Sequence, residues 1–303
     1  MSVAAASTQR APSGPRVWLL AARPATLPAA IVPVVVGTAA AVHSAHALHE
    51  VVFIATLLAS LLIQIGTNFA NDVFDFHRGA DAERLGPLRV TQGGLVTPRQ
   101  VEIATGVTFG LALLIGVYLV AIGGWPILLI GVVCVLSGVL YTGGPWPFGY
   151  HGLGDLVCFL TFGVLAVLGT AYLQNLAIDA LAVWASIPVG CLVTAILIVN
   201  NLRDIDTDRR VGKRTLAVIL GRTGTRVEYA VGVAIAYLVV IGLGLSGMVG
   251  MWWWLPLLSL PLAVWLVRFV SHTEGRPLNQ ALKRTGQLHL VFGLLFGAAL
   301  WLG

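Results

Sequence analysis

Residues 51–81 read VVFIATLLASLLIQIGTNFANDVFDFHRGAD, and the change of character within this stretch decides the fold. The part from 51 to 71 is mostly apolar and uncharged, and about 20 such residues form a helix that crosses the ~30 Å hydrocarbon core of a bilayer. Asp72, Asp75 and Asp81 follow directly. Carboxylates at the end of a membrane helix are costly unless they meet a cation or line a polar cavity. The stretch therefore predicts a membrane helix that leads into a functional site.

The composition of the whole chain extends this prediction to a membrane protein with many helices. Of the 303 residues, 57% are hydrophobic and 10% are charged, whereas soluble domains carry about 25% charged residues. Nine segments have the length and hydropathy of a transmembrane helix, at about 23–42, 51–71, 99–121, 125–142, 153–173, 180–201, 227–246, 250–270 and 286–302. The predicted fold class is an all-α integral membrane protein with nine transmembrane helices in one bundle.

The distribution of basic residues predicts the orientation of the chain. All 18 Lys and Arg fall in the N-terminal tail, in the connections between predicted spans 2 and 3, 6 and 7, and 8 and 9, or at the adjoining span ends. Such residues concentrate on the cytoplasmic side, which predicts a cytoplasmic N-terminus and a C-terminus across the membrane. We expect residues 1–21 to be a disordered cytoplasmic tail and residues 22–303 to form a single domain. The net charge of +5 then reflects topology and contact with membrane lipid, and no nucleic-acid partner is predicted.

The first Asp-rich segment, residues 68–81 (NFANDVFDFHRGAD), has its polar side chains in helical register. Asn68, Asp72 and Asp75 are spaced i, i+4, i+7, which places them on one face of a helix. Gly79 permits a turn, after which Asp81 can fold back toward the same face. The segment therefore predicts a set of oxygen ligands at the cytoplasmic end of span 2.

The second Asp-rich segment, residues 200–218 (NNLRDIDTDRRVGKRTLAV), repeats this design at the end of span 6. Asn200, Asp204 and Asp208 share one helix face, whereas Asp206 points elsewhere. Both segments lie at the cytoplasmic ends of even-numbered spans, so they face the same compartment. One such cluster is as consistent with solvated loop charges as with a site. Two aligned clusters favour a shared site.

The side chains of the two Asp-rich segments indicate a magnesium-bound diphosphate. Carboxylates held together repel one another and protonate unless a positive group lies between them. Oxygen-rich sites that keep water and help hold a phosphate are typical of Mg²⁺, and accompanying Arg and Lys side chains suit a diphosphate. Arg203 and Lys213 are the predicted diphosphate ligands, and many of the other arginines are topology signals or contact lipid headgroups. A diphosphate at the mouth of a helical bundle implies a lipid whose tail lies among the helices.

Four segments carry a resemblance to a known family. They are 22–38 (ARPATLPAAIVPVVVGT), 68–95 (NFANDVFDFHRGADAERLGPLRVTQGGL), 141–163 (YTGGPWPFGYHGLGDLVCFLTFG) and 200–221 (NNLRDIDTDRRVGKRTLAVILG). The two Asp-rich segments resemble those of the UbiA superfamily of intramembrane prenyltransferases. Within it, the four segments together are most similar to the 1,4-dihydroxy-2-naphthoate polyprenyltransferases of menaquinone synthesis.

The resemblance implies nine helices around a central cavity and two Mg²⁺ ions, replaceable by Mn²⁺, as cofactors. The implied metal ligands are Asp72, Asp75 and Asp81 from the first Asp-rich segment, and Asp204 and Asp208 from the second. Many members of the superfamily place a third Asp four residues after the second, where this chain has Gly79. The naphthoate branch shares the displaced acid at Asp81, which supports the narrower similarity.

The implied substrates are polyprenyl diphosphate and 1,4-dihydroxy-2-naphthoate. The resemblance implies that the diphosphate leaves, that the electron-rich ring attacks the first prenyl carbon, and that carboxylate is lost as CO₂ to give demethylmenaquinone. Asp72, Asp75, Asp204, Asp208 and Tyr141 are the implied catalytic residues. The implied ligands of the diphosphate or the acceptor are Asn68, Asn71, Arg78, Arg23, Asn200, Asn201, Arg203 and Lys213. The site is expected on the cytoplasmic side of the cell membrane.

Several alternative interpretations stay open. A cation or lipid transporter also holds acids inside a bundle, although it needs charged or broken-helix sites near mid-membrane, and here the acids gather at span ends. Within the prenyltransferase class, 4-hydroxybenzoate or homogentisate is an alternative acceptor and a phytyl group an alternative donor. Arg23 pairs with a carboxylate or reaches the headgroups. The π faces of Tyr141, Trp146, Phe148 and Tyr150 suit the prenyl cation or the aromatic acceptor, but Trp146 and Phe148 also suit an interfacial aromatic belt. Asp155 suits a helix N-terminus.

Overall fold

The computed structural model describes residues 14–79 and 85–303, and the regular elements in these residues are helical. The helices are α1 Pro15–Ala22, α2 Pro28–Ala45, α3 Glu50–His77, α4 Pro98–Gly123, α5 Trp125–Leu140, α6 Gly154–Cys158, α7 Ala166–Asn175, α8 Ala180–Arg210, α9 Leu216–Leu245, α10 Leu260–His272 and α11 Leu278–Leu302. A π-helical stretch, Phe159–Leu165, joins α6 to α7. Short 3₁₀ turns lie at Pro24–Thr26, Phe148–Tyr150 and Leu255–Ser259.

Eight helical stretches in the described residues are long and apolar enough to cross a membrane. They are α2, α3, α4, the continuous helix Gly154–Asn175, α8, α9, Leu255–His272 and α11. The remaining predicted span coincides with α5, which is apolar but has 16 residues, a length of about 24 Å. The all-helical membrane fold is therefore confirmed, and the count of nine spans stays a prediction.

The predicted disordered tail is wrong for the part of it that the structure describes as helix. Residues 1–13 lie outside the described residues, but Pro15–Ala22 forms α1 with Val17 and Ala21 buried. The Trp18 ring meets the Phe69 ring of α3 edge-on at 5.8 Å. The apolar side chains of α1 thus pack against α3, a contact with a distant segment that the sequence of the tail alone does not contain.

The longest helix, α8, lies at the centre of the bundle. It contacts α2, α7, α9, α11 and the π-helical stretch, and most of its residues are buried. Asp179 begins it by accepting a hydrogen bond from the Ala182 backbone N–H at 2.7 Å, as expected for an N-cap. The second Asp-rich segment therefore begins at the end of the most enclosed helix.

The 85–97 segment, which follows the first Asp-rich segment, covers the end of α3. Its Val90 is fully buried in an apolar cluster with Phe69 and Val73 of α3. The segment ends at Thr97, which begins α4 with a reciprocal capping box to Gln100. This packing brings backbone N–H groups and a buried arginine against the carboxylates of α3.

Candidate active site

A cavity of about 330 Å³ is bordered by both Asp-rich segments. We call it the site cavity. From α3 it is lined by Asn68, Asn71 and Asp75, and from the second Asp-rich segment by Asn200 and Lys213. Its apolar wall is formed by residues such as Phe162, Val193, Ile196, Leu197 and Leu282. The convergence of the two segments, which the sequence suggested, is thus a feature of the structure.

Polar side chains on α3 form a stripe along one wall of the site cavity. Gln64, Asn68, Asn71 and Asp75 follow one another at helical spacing and all line the cavity. The Asn68 amide donates to the Ala22 carbonyl at 2.9 Å, and the Thr142 hydroxyl donates to Asn71 Oδ1 at 2.8 Å. The stripe extends the first Asp-rich segment one helical turn deeper into the bundle, to Gln64.

Asp75 is the acid of the first Asp-rich segment that is both buried and part of the lining of the site cavity. Its carboxylate accepts a hydrogen bond from Arg89 Nη2 at 2.7 Å and one from the Tyr150 hydroxyl at 3.1 Å. Burial, together with the carboxylate of Asp75, raises the pKa of Tyr150 well above its usual value. The phenol therefore stays protonated and acts as a donor to Asp75.

Asp72 lies in a different environment from Asp75. It is buried and accepts backbone N–H groups from Val90 at 3.3 Å and Thr91 at 3.1 Å, and it is not among the residues that line the site cavity. In this structure its carboxylate holds the 85–97 segment against α3 through these two hydrogen bonds. Its implied role as a metal ligand stays a prediction, and Asp81 lies outside the described residues.

Arg203 and Asp204 form a buried pair at the start of the second Asp-rich segment. Arg203 Nε donates to Asp204 at 2.8 Å, and its Nη1 and Nη2 donate to the side-chain oxygens of Asn279 and Asn200, each at 2.8 Å. The sequence predicted that Arg203 contacts the ligand. This role stays a prediction; in the structure the guanidinium is buried in a protein network, in which Asn279 of α11 supplies an acceptor that lies far away in the sequence.

Tyr150 connects the two Asp-rich segments. Lys213 Nζ lies 5.2 Å from the centre of its ring, and Lys213 pairs with Asp208 at 3.7 Å. Arg78 lies 5.4 Å from the same ring and donates to the Gly144 carbonyl at 2.6 Å. The chain of contacts Asp75–Tyr150–Lys213–Asp208 therefore joins acids from both segments, and the charges of Asp75 and Asp208 interact.

The other predicted residues are distributed between the cavity and its surroundings. Tyr141 and Arg23 line the site cavity, and the Tyr141 ring meets the Phe148 ring edge-on at 5.6 Å. Asn201 is buried but does not line it. Asp206 is exposed and pairs with Arg222 at 2.6 Å, which confirms that it points away from Asp208.

Four side chains outside the predicted set of site residues belong to the site, although Tyr150 is also one of the aromatic residues expected near the cation or the acceptor. Arg89 and Tyr150 bind Asp75, Gln64 lines the site cavity, and Asn279 joins Arg203 to the Leu85 carbonyl. Gln64 lies four residues before Asn68, so extending the helical spacing by one turn finds it. The other three contacts join distant parts of the chain and have no local sequence signal.

The comparison of the sequence with known families decides the assignment. It matches the UbiA prenyltransferase family over residues 30–291. The chain belongs to this family. The resemblance of the Asp-rich segments is thereby confirmed.

Relatives within the UbiA family match this chain along nearly its whole length. A 1,4-dihydroxy-2-naphthoate octaprenyltransferase from Mycobacterium tuberculosis is 40% identical over 290 residues, which cover 94% of this chain and 97% of that protein. A 2-carboxy-1,4-naphthoquinone phytyltransferase from Synechocystis is 30% identical and covers 97% of this chain and 96% of its own. The solved structure of a UbiA homolog from Archaeoglobus fulgidus, bound to GPP and Mg²⁺, has a TM-score of 0.63 at 15% identity, with 95% of this chain and 100% of that one covered. The fold is thus the UbiA fold.

The oxygen ligands around the site cavity of this UbiA-family chain fit Mg²⁺. This ion is commonly held by one or two carboxylates, with substrate phosphates and waters completing an octahedron. Within residues 14–79 and 85–303, no three His, Cys, Asp or Glu side chains converge into a cage of their own. Asp75, Asn71 and Asn200 instead line the cavity, and Asp208 lies behind its lining residue Lys213, with which it pairs at 3.7 Å. This donor set suits ions whose coordination is completed by a diphosphate and water.

Proposed function

We propose that the chain transfers a polyprenyl group from polyprenyl diphosphate to 1,4-dihydroxy-2-naphthoate, with loss of CO₂, to give diphosphate and demethylmenaquinol, the hydroquinone form of demethylmenaquinone. The observation that carries the proposal is a single cavity whose polar end joins both Asp-rich segments and whose walls are otherwise apolar. Such a cavity suits a lipid diphosphate. The full-length similarity to a naphthoate octaprenyltransferase supports the acceptor and the donor class.

The proposal includes the topology of the enzyme. Nine membrane spans, with α5 as the shortest, a cytoplasmic N-terminus and a site on the cytoplasmic side of the cell membrane agree with the positions of the basic residues. The acids of both Asp-rich segments lie at the same end of the bundle. This placement argues against a transporter, which needs a polar path to the opposite side.

In the proposed reaction, the chain holds the diphosphate and protects the reacting carbon. Bound Mg²⁺ supplies Lewis-acid stabilisation of the charge that grows on the leaving diphosphate. Asp75 and Asp208 would hold the ions, and Lys213, at 3.7 Å from Asp208, would donate to a phosphate oxygen. Asp72 orients the 85–97 segment, which places Arg89 against Asp75.

The apolar wall of the site cavity supports the second half of the reaction. Departure of the diphosphate leaves an allylic cation, which water captures unless it is excluded. Phe162, Ile196 and Leu197 border the cavity beyond the polar end, and the Tyr141 ring offers a π face to the cation. The naphthoate ring then attacks the first prenyl carbon, and its carboxylate leaves as CO₂.

The activity is tested with the purified protein in detergent or nanodiscs. We expect a naphthoate-dependent prenylated product from octaprenyl diphosphate and Mg²⁺, loss of that product in EDTA, and its recovery with added Mg²⁺ or Mn²⁺. Parallel reactions contain 4-hydroxybenzoate or homogentisate as the acceptor and phytyl diphosphate as the donor, which the similarity to the phytyltransferase makes the second candidate. Product formation that is unaffected by EDTA, or that requires a different acceptor, contradicts the proposal.

Tyr150→Phe is expected to lower kcat/KM by about tenfold. The substitution removes only the hydroxyl that donates to Asp75 at 3.1 Å, and a hydrogen bond to a charged group contributes about 1.5–3 kcal/mol. Initial rates at saturating Mg²⁺ measure the effect. Tyr118→Phe, at an exposed position on α4, is the matched control and should leave the rate unchanged. If Tyr150→Phe keeps the wild-type rate, the function of Asp75 does not require the hydrogen bond from Tyr150.

A further inference from the structure

Gln64 lies at the deep end of the polar stripe on α3. It is 6% exposed, lines the site cavity and lies one helical turn before Asn68. Its side-chain oxygen Oε1 is buried and has no hydrogen-bond partner among the described residues. An acceptor that is buried without a donor destabilises the protein, so a ligand group that donates to it gains affinity.

The hydrogen bonds of Thr26 determine which atom of the Gln64 amide faces the cavity. The Thr26 hydroxyl donates to the Arg23 carbonyl at 3.0 Å, and it accepts from Gln64 Nε2 at 3.2 Å and from Asn68 Nδ2 at 3.0 Å. A hydroxyl has one hydrogen to donate and two lone pairs that accept, and these three hydrogen bonds use all of them. The amide nitrogen of Gln64 is therefore held by Thr26, and the carbonyl oxygen is left for the cavity.

We propose that Gln64 Oε1 accepts a hydrogen bond from a hydroxyl of the aromatic acceptor and so selects the reduced, hydroxylated ring. The inference rests on the proposed function and names a specificity-determining residue for it. Because Oε1 only accepts, the matching ligand group must be a donor. A carboxylate or a quinone carbonyl in the same place presents a second acceptor and is disfavoured.

The chemistry of 1,4-dihydroxy-2-naphthoate identifies the hydroxyl concerned. Its 1-hydroxyl lies next to the carboxylate and donates to it within the molecule. Its 4-hydroxyl has no such internal partner and is available to the protein. Gln64 therefore distinguishes this acceptor from 1-hydroxy-2-naphthoate, which lacks the 4-hydroxyl and is otherwise the same size.

The test measures equilibrium binding of these two naphthoates by calorimetry, under anaerobic conditions and without prenyl diphosphate. We expect the wild-type protein to bind 1,4-dihydroxy-2-naphthoate roughly tenfold more tightly than 1-hydroxy-2-naphthoate. Gln64→Met keeps the length of the side chain and removes the amide, so its ratio should fall to about one. Gln64→Leu serves as a second variant, and thermal unfolding together with the KM for the prenyl diphosphate establishes that each variant is folded.

Ser60→Ala is the control on the same helix face. The Ser60 hydroxyl donates to the Ala30 carbonyl at 3.0 Å, so its loss should leave the ratio of the two affinities at the wild-type value. A wild-type protein that binds both naphthoates equally overturns the inference, as does a Gln64→Met variant that loses affinity for both by the same factor. A wild-type protein that binds neither naphthoate, yet transfers the prenyl group to another acceptor, overturns the proposed acceptor as well.

Discussion

Asp208→Asn is expected to reduce prenyl transfer by about 10³-fold or more, whereas Asp206→Asn, two residues earlier on the same helix, keeps near-wild-type activity. Asp208 is buried, pairs with Lys213 and lies close enough to Asp75 for their charges to interact. Asp206 is exposed and pairs with Arg222. Removing one charge from the proposed metal site weakens the stabilisation of the leaving diphosphate. Loss of a single preorganised contact of this kind lowers kcat by about 10²–10³-fold.

The matched pair separates a metal ligand from a general charge effect, because both variants change the net charge by the same amount. Initial rates over a series of Mg²⁺ concentrations measure the loss, and thermal unfolding establishes that Asp208→Asn is folded. The exposed ion pair of Asp206 contributes only about 0–1 kcal/mol, so its loss should leave the stability of the protein nearly unchanged.

The double variant Asp208→Asn, Asp75→Asn should lose little more activity than either single variant, because the effects of groups that act as one unit are not additive. Equal losses for Asp206→Asn and Asp208→Asn contradict this assignment.

The division between Asp206 and Asp208 shows what the sequence was able to predict. Helical spacing places residues four apart on one face and residues two apart on different faces, so the orientation of each acid follows from its position alone. The same holds for the stripe from Asn68 to Asp75, and for the apolar segments that form the long helices. These features depend on local geometry, which a single sequence contains.

The contacts that the sequence did not predict share a different cause. The Arg203 guanidinium donates to Asn279, which lies 76 residues later in the chain. Asp72 is bound to backbone groups of Val90 and Thr91, and α1 packs on α3 instead of forming part of a disordered tail. Each of these contacts depends on how distant segments meet, and spacing within one segment does not contain that information.

A second cavity, of about 350 Å³, lies beyond the site cavity and shares Thr161 and Phe162 with it. It is lined along α3 by Thr56, Ser60 and Ile63, which lie deeper in the bundle than the polar stripe. Its other wall includes residues of α4 and α5 whose side chains are exposed, Leu113, Val117, Leu128 and Val132. Because the two cavities adjoin at Thr161 and Phe162 and the second is lined by exposed residues of α4 and α5, we expect the prenyl tail to run from the acids through both cavities toward the lipid.

Gly131→Phe is expected to reduce transfer from octaprenyl diphosphate by about 100-fold or more while leaving transfer from geranyl diphosphate within about threefold of wild type. Gly131 lines the second cavity, and a Cβ added there meets open space, so the helix tolerates the substitution. A Phe side chain buries roughly 150–250 Å² of surface and fills the path. A long tail of about 40 carbons exceeds what a cavity of this size encloses, so we expect it to pass position 131, and we expect the shorter geranyl group to end before it.

The change in donor preference is measured in one reaction that contains both geranyl and octaprenyl diphosphate. Mass spectrometry gives the ratio of the two products, and this ratio does not depend on the amount of folded enzyme. Gly106→Phe is the control, because it places the same side chain in open space on α4 and outside the second cavity. Loss of both donors in Gly131→Phe indicates damage to the bundle, and retention of the octaprenyl donor means that the tail leaves by another route. Selective loss of the long donor instead requires that the tail runs through the second cavity, because Gly131 does not line the site cavity and its substitution changes neither charge nor hydrogen bonding.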